Sequence, residues 1–372
     1  MKTGSEHEQW MALSLELARR GEGRTRPNPP VGAVVIRSGR VVGRGFHPRA
    51  GEPHAEVFAL RDAGEAARGG ELYVTLEPCS HQGRTGPCTE AVLAAGVTKV
   101  FIGCTDPNPR VAGRGIERLR QAGLTVECGL LESECRRLIA PFAKHITTGL
   151  PFVILKTAMT LDGKTATATG DSKWITSEAS RAHVHQCRNR CDAVLTGIGT
   201  VLADNPLLTV RGIDKGRNPV RVIVDSALRL PLDARILDDL PNAALIIATT
   251  DKASRDKMEI LRERGAEVIT MPQIVGQVNL ASLFADLGRR GLQSVLLESG
   301  AELNGEMLRR GFVDRMMVFI APRIVGGADA RGVFGGCGVA RMAQSLNLRD
   351  LRTARFGDDI LIEGEVEACS PD

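Results

Sequence analysis

Apolar positions along the chain follow two alternating periods, and the changes of period mark out its elements. The opening "MKTGSEHEQWMALSLELARRGEG" spaces its apolar residues as a helix does and carries acids among them, so it predicts an amphipathic helix rather than a signal peptide. "VGAVVIRSGRVVGRGF" (31–46) predicts a hairpin-like pair of strands. A helix opened by Pro53 follows, then a strand at "ELYVTLEP", a helix at "TEAVLAAGV", a strand at "KVFIGCT", a helix at "GIERLRQAG" and a strand at "LTVECGL". "LIAPFAKHITTGLP" (138–151) is weakly patterned and reads as a bridge. Beyond it a second series begins. Strands are predicted at "FVILKTAMT", "CDAVLTG", "VRVIVDS", "AALIIAT", "AEVIT" and "SVLLES", with helices over 177–189, 253–264, 280–290 and 301–311 between some of them. In the tail, "VDRMMVFIAPRIVGG" and "DDILIEGEV" predict further strands without intervening helices. Such alternation predicts an α/β fold class in two domains, 1–148 and 149–372, the second built on a largely parallel sheet.

At 372 residues the chain is long enough for two separate cores. Its composition, 43% hydrophobic and 25% charged, is that of a globular protein. A net charge of only +4, spread along the chain, is a weak footprint for a nucleic-acid binder, and 3% aromatic residues leave little for a base-stacking platform. No apolar run reaches the roughly 18 residues of a membrane span. Nine cysteines without a secretory signal argue for a reducing cytoplasm and for some cysteines as ligands rather than a disulfide framework.

The ligand candidates lie in two stretches. "GEPHAEVFAL" (51–60) places His54 and Glu56 behind Pro53, which reads as the first position of a helix. "EPCSHQGRTGPC" (77–88) places Cys79 and Cys88 each behind a proline, with Cys88 opening a helix whose N-terminus favours thiolate. One imidazole and two thiolates make a three-point Zn2+ site with a fourth position open to water. Zinc lowers the pKa of its water toward about 7, and a carboxylate beside the metal can move protons. His54 would then hold the ion while Glu56 is catalytic. The plainer readings are a closed structural zinc site, for which His81 could serve as the fourth ligand but which leaves Glu56 without a task, and a buried cysteine pair with Glu56 as a helix-capping residue.

The H-x-E … P-C … C arrangement resembles the zinc-dependent nucleoside and base deaminases, except that eight residues instead of two separate the cysteines. "HAE", "TLEPCSHQGRTGPC", "NPPVGAVV" and "DPNPRVAGRG" narrow the resemblance to the bifunctional riboflavin-biosynthesis deaminase/reductases, and it extends over nearly the whole chain. It implies a cytidine-deaminase-like three-layer α/β/α domain in which Asn28, Ser80, His81 and Asn108 line the pyrimidine pocket; "PNPP" and "DPNP" are also strong turn signals on their own.

In the second half, "DGKT" (162–165) lacks the P-loop's earlier glycine, because Ala158 stands there, and "GIG" (197–199) lacks the third glycine of a dinucleotide fingerprint, because Leu202 stands there. "SVLLESGAELNGEMLRRG" runs a buried strand into Gly300 and a helix, a turn that suits a phosphate. With "LKTAMTLDGKTA", "SKWITS" and "GIGTVLADNPLLTVR" it resembles the reductase half of the same family, which implies a dihydrofolate-reductase-like α/β domain using NADPH. The resemblance puts the cofactor against Ala158, Trp174, Thr200, Asp204, Ser226 and the run Gly300, Ala301, Glu302, Leu303, Asn304, Gly305 and Glu306. It puts the sugar-phosphate substrate against Lys156, Ser172, Arg188, Leu208, Arg211 and Glu298. Arg188 and Arg211 offer forks suited to phosphate, although most arginines of this chain read as solvated surface. Asp204 would assist proton delivery or simply shape the loop before Asn205-Pro206.

"HVHQCRNRC" (183–191) puts His183, Cys187 and Cys191 along one helix face. It reads as a buried face, not a metal site, and the cysteines at 104, 128, 135, 337 and 369 show no ligand spacing. The resulting expectation is a zinc deaminase joined to an NADPH reductase, acting on small pyrimidine ribose phosphates in the cytoplasm as a homo-oligomer, without nucleic-acid or membrane partners. The rivals are a deaminase of bases in RNA or DNA with a binding platform attached, and a zinc-stabilised scaffold that senses a nucleotide.

Overall fold

The computed structural model describes residues 5–81, 86–109 and 111–367. The chain divides into two compact units, one ending at Gly149 and one beginning at Leu150.

In the first unit, α1 (Glu6–Arg19) starts on a capping box in which Ser5 and Glu8 satisfy each other's backbone N–H groups. There follow β1 (Gly32–Arg37), β2 (Arg40–Phe46), α2 (Ala55–Ala63), β3 (Glu71–Leu76), α3 (Cys88–Ala95), β4 (Lys99–Cys104), α4 (Arg114–Gln121), β5 (Thr125–Cys128) and α5 (Glu132–Thr148). The sheet order is β2-β1-β3-β4-β5, antiparallel on the β2 side and parallel from β3 to β5. Strand alternation sorts side chains into two cores. Ala33, Val35, Leu72, Val74, Val100 and Ile102 meet α2, α3 and α4, whereas Val34, Ile36, Tyr73 and Phe101 meet α1 and α5. The result is the expected α/β/α sandwich. On β2, Gly43 and Gly45 let α2 lie directly on the strand: a Cβ there would stand 2.1 Å from the Ala59 carbonyl and 2.3 Å from that of Ala55.

Two expectations are corrected here. The stretch read as a bridge is most of α5, a 17-residue helix that continues through Pro141. Cys135 and Ile139, both buried against α1 and the sheet, hold it by packing that its sequence pattern does not advertise. The helix after Pro53 begins at Ala55, with His54 as its N-cap in extended conformation (φ −75°, ψ 166°). The Pro53 carbonyl is taken by His47 Nδ1 at 3.0 Å, so Pro53 stands outside the helix.

The second unit runs β6 (Phe152–Thr160), α6 (Glu178–Arg190), β7 (Ala193–Gly197), α7 (Ile198–Asp204), β8 (Val220–Val224), β9 (Leu245–Thr249), α8 (Arg255–Glu263), β10 (Glu267–Thr270), a small hairpin β11 (Gln273–Ile274) and β12 (Gln277–Val278), α9 (Leu280–Arg289), β13 (Ser294–Leu297), α10 (Ala301–Arg309), β14 (Arg315–Ala321), β15 (Leu348–Phe356) and β16 (Asp359–Val366). Its nine-stranded sheet has the order β10-β9-β8-β7-β13-β6-β14-β16-β15. The strands from β10 to β14 are parallel, and β16 and β15 close one edge antiparallel. One face packs on α9 and α10 through Leu283, Phe284, Leu287 and Met307; the other packs on α7 and α8 through Ile198, Val201 and Leu261. On α6, the His183 ring meets that of Phe356 at 4.5 Å in a tilted arrangement, Cys187 packs beside Phe319, and burial pushes the Cys187 thiol up to about 12. His183 and Cys187 are half-buried and Cys191 buried, so that face packs inward. The eight described cysteines are all free thiols, and Cys369 lies outside the described residues.

Candidate active sites

In the first unit, the N-cap of α2, the loop after β3 and the start of α3 bring three donors to one point. His54 Nδ1 stands 3.2 Å from Cys88 Sγ and 3.6 Å from Cys79 Sγ, and among the described residues these three form the one cluster spaced to hold a metal. Tetrahedral zinc with Zn–N about 2.0 Å and Zn–S about 2.3 Å separates such ligands by about 3.6 Å, so the set fits zinc. The Cys88 backbone N–H, in the first turn of α3, donates to Cys79 Sγ at 3.4 Å. The hydrogen bond from the Cys88 side chain, with that backbone bond and His54 nearby, lowers Cys79 to about 4 against the opposing effect of burial. A thiolate is therefore already favoured at Cys79.

Glu56 is 3% exposed and occupies the second position of α2. Burial pushes its carboxyl up to about 7 despite the neighbouring His54. Residues two apart do not share a helix face, yet His54 and Glu56 converge because His54 lies in the extended cap. Its orientation is set from behind. Since His47 Nδ1 donates to the Pro53 carbonyl, its Nε2 accepts from Asn28 Nδ2 at 3.0 Å, and the His47 ring meets His54 edge-on at 5.2 Å. Asn28 is thus tied to the cluster. Ser80 is half-buried and His81 exposed, both following Cys79 directly. Asn108 sits in a turn whose N–H donates to Asp106 Oδ1 at 2.8 Å. Burial raises the Asp106 carboxyl, which also feels Glu77, His81 and Cys79. Sequence reasoning missed His47, Asp106 and Glu77; each directly precedes a proline, and the first two read as turn residues.

In the second unit, Thr200, Ser226 and Glu298 follow the carboxyl ends of β7, β8 and β13, where open parallel sheets bind ligands. Lys156 on β6 and Glu298 just after β13 are 18% and 10% exposed. Arg188 from α6 clasps Glu298 with two bonds, 2.6 and 2.9 Å, and its third nitrogen donates to the Thr209 carbonyl. Three of its five N–H groups are thus engaged within the fold. Lys156 Nζ lies 3.8 Å from Glu298. Burial opposes ionisation of Glu298, but Arg188 and Lys156 outweigh it and hold the carboxyl at about 2. Arg211 is exposed, its backbone N–H on His185 Nδ1. Leu208 is buried with φ +55°, and Ser172 is half-buried.

Gly300 caps α10, with its absent Cβ 3.6 Å from Thr200 Oγ1. Leu303 packs on Gly197. The start of α10, capped by a glycine without a side-chain hydrogen bond, suits a dinucleotide phosphate. Ala158 belongs to β6 and Asp204 ends α7. Trp174 is 60% exposed under the Arg181 guanidinium. Other expected contacts are committed within the fold. Asn304 binds Ser299 and the Val333 carbonyl, Gly305 abuts Gly335, Glu302 lies against that same glycine, and Glu306 pairs with Arg309 and Arg310. The Ser226 hydroxyl spans Gln277 and the Val278 N–H.

A histidine–dicysteine cluster with a buried carboxyl, on an α/β/α sandwich, defines a zinc deaminase of the cytidine-deaminase class. It is joined in this chain to a parallel-sheet unit whose strand ends suit a dinucleotide. The comparisons agree. Residues 4–104 match the cytidine and deoxycytidylate deaminase zinc-binding region, and residues 151–362 match the RibD C-terminal domain. Riboflavin biosynthesis protein RibD of Aquifex aeolicus is 43% identical, over 95% of this chain and 96% of its own, and that of Escherichia coli strain K12 is 42% identical, over 95% and 98%. Among solved structures, Acinetobacter baumannii RibD aligns with TM-score 0.83 at 41% identity, covering 98% of this chain and 99% of its own. A Thermotoga maritima diaminohydroxyphosphoribosylaminopyrimidine deaminase/5-amino-6-(5-phosphoribosylamino)uracil reductase aligns with TM-score 0.83 at 38%, covering 97% and 99%. The chain belongs to the RibD family of riboflavin biosynthesis and is a bifunctional deaminase and reductase, with zinc and NADPH as the cofactors of the two activities.

Proposed function

We propose that residues 1–148 hydrolytically deaminate 2,5-diamino-6-ribosylamino-4(3H)-pyrimidinone 5′-phosphate, and that residues 149–372 reduce the resulting 5-amino-6-(5-phosphoribosylamino)uracil to its ribitylamino form. The observation that carries the first half is the buried Glu56 carboxyl beside His54, Cys79 and Cys88. Those three residues would hold zinc, which supplies Lewis-acid activation of water at neutral pH. Burial raises the Glu56 carboxyl, which suits a group that takes up and gives back a proton. It takes a proton from the attacking water and returns it to the departing amine, so ammonia leaves neutral. Asn28, Ser80, His81 and Asn108 would orient the ring, a reading supported by the bond of Asn28 to His47 and by the position of Ser80 and His81 directly after Cys79.

In the second half, Lys156 and Glu298 would meet the opened sugar and Arg211 its phosphate, while Gly300 and the start of α10 take the dinucleotide with Thr200. Arg188 acts behind Glu298, fixing its two oxygens. Small-molecule substrates, no nucleic acid and no membrane are the partners this reading requires. Its support is the modest +4 charge and the lack of any helix, among the described residues, long and apolar enough to cross a membrane. A cytoplasmic homo-oligomer belongs to the same reading.

The test is Glu56→Gln. The variant should retain its zinc and its fold, lose ammonia release by about 10²–10⁴-fold, and still oxidise NADPH when given the deaminated substrate. Unchanged ammonia release rejects the role of Glu56. No NADPH oxidation by the parent protein, at any pH, rejects the reductase half.

A further inference from the structure

Glu77 is the first residue beyond β3 and stands two positions before Cys79. It extends the parallel ladder by one bond, its N–H donating to the Cys104 carbonyl at 3.0 Å. Its side chain is 3% exposed and faces four backbone N–H groups. Oε1 accepts from Gly115 at 2.8 Å and Ile116 at 3.3 Å, and Oε2 accepts from Gly113 at 2.9 Å and Asp106 at 3.1 Å.

The first pair has a local cause. A helix leaves its opening N–H groups without partners, and α4 is preceded by Gly113, which has no side chain to cap it. Glu77 supplies the cap from another element. That task needs one oxygen. The second oxygen lies outside the helix and takes the Asp106 N–H; Asp106 in turn receives the Asn108 N–H on its own carboxylate at 2.8 Å. Next door, the Pro78 carbonyl presses on α4, where a Cβ at Gly115 would approach it to 2.0 Å. One carboxylate thus joins the strand that leads to Cys79, the start of α4, and the turn that carries Asn108.

We propose that Glu77 is a positioning residue for deamination, holding the Asp106–Asn108 turn in fixed register with Cys79 so that pyrimidine recognition and the metal share one frame. This rests on the assignment of Asn108 to the pyrimidine pocket. The chemistry makes glutamate hard to replace. In Glu77→Gln one oxygen becomes an NH2 group, and whichever way the amide turns, two of the four N–H donors face a donor. A buried donor left unpaired is worth about tenfold or more in an equilibrium constant.

The experiment uses the full zinc-loaded chain and compares the parent, Glu77→Gln, Asn108→Ala and the double variant. Zinc per chain, kcat and KM for ammonia release are measured, with NADPH oxidation by the same preparations as the control for intact protein. The expected result is a KM raised about tenfold in Glu77→Gln with zinc retained and kcat less affected, and no further rise when Asn108→Ala is already present. An unchanged KM in Glu77→Gln overturns the proposal, as does an effect that adds in full to that of Asn108→Ala. If Asn108→Ala alone leaves KM unchanged, the pocket assignment fails, and the KM of Glu77→Gln then decides for the Asp106 turn by itself. Should Glu77→Gln lose zinc or fail to fold, hydrogen exchange of the parent decides: the Asp106 and Gly113 amides should exchange as slowly as those of Gly115 and Ile116, and fast exchange at Asp106 overturns the link.

Discussion

Replacing Glu298 by Gln keeps the side chain's shape and removes the charge that holds two cations in the interior of the second unit. Arg188 makes its paired bonds to this carboxylate, and Lys156 lies 3.8 Å away. The carboxyl falls from 4.5 to about 2 on folding, although burial alone would raise it, because Arg188 and Lys156 outweigh burial. At 1.36 kcal/mol per unit that depression contributes about 3 kcal/mol, which agrees with the roughly 3–5 kcal/mol lost when a buried ion pair loses one partner. A depressed acid stabilises the fold fully above its unfolded value, and the contribution disappears as pH falls through the folded one. Glu298→Gln should therefore cost about 3 kcal/mol at pH 7 and less than half of that at pH 3. Urea unfolding followed by Trp174 emission, in a Trp10→Phe background that leaves the second unit as sole reporter, measures both values. A cost below about 1 kcal/mol at pH 7, the level of an exposed pair, would refute the reasoning. So would an equal cost at the two pH values.

Two further predictions concern packing. Gly45→Ala places a Cβ 2.3 Å from the Ala55 carbonyl, so α2 must lift from β2 and carry His54 with it; we expect a loss of about 1–3 kcal/mol together with lowered zinc per chain in dilute metal, and normal zinc occupancy would contradict this. Arg221, fully buried, donates to the carbonyls of Leu207, Ile236, Asp239 and Ala243. Arg221→Met should destabilise the second unit by at least 3 kcal/mol, since several buried acceptors lose their donor at about 1 kcal/mol or more each, a drop that urea unfolding would register.

Much of this molecule was legible in its sequence, and what was not shares a cause. The strands β1, β2, β6 and β13 announce themselves by apolar alternation or by buried runs, and the metal cluster by residue types that lose meaning apart from one another. By contrast, β15 was missed because every residue between Leu348 and Phe356 is exposed, which leaves no alternation to read. The helix α7 has only seven residues and begins with Ile-Gly. α5 carries a proline and is held by Cys135 and Ile139 against α1 and the sheet, a contact outside any local window. Distance along the chain hid the polar links too. Glu77 reaches donors 29 to 39 residues on, and Arg188 reaches Glu298 across 110 residues. Seen as a sequence, Arg188 is a free fork suited to phosphate; folded, three of its N–H groups are engaged by Glu298 and Thr209.

The account stands most directly on the metal. Zinc per chain and ammonia release should be measured on the same preparations while the metal is withdrawn by a chelator and restored. One zinc per chain, with ammonia release rising and falling in proportion to it and NADPH oxidation of the deaminated substrate unaffected, is the predicted result. Full ammonia release from protein devoid of metal would contradict it.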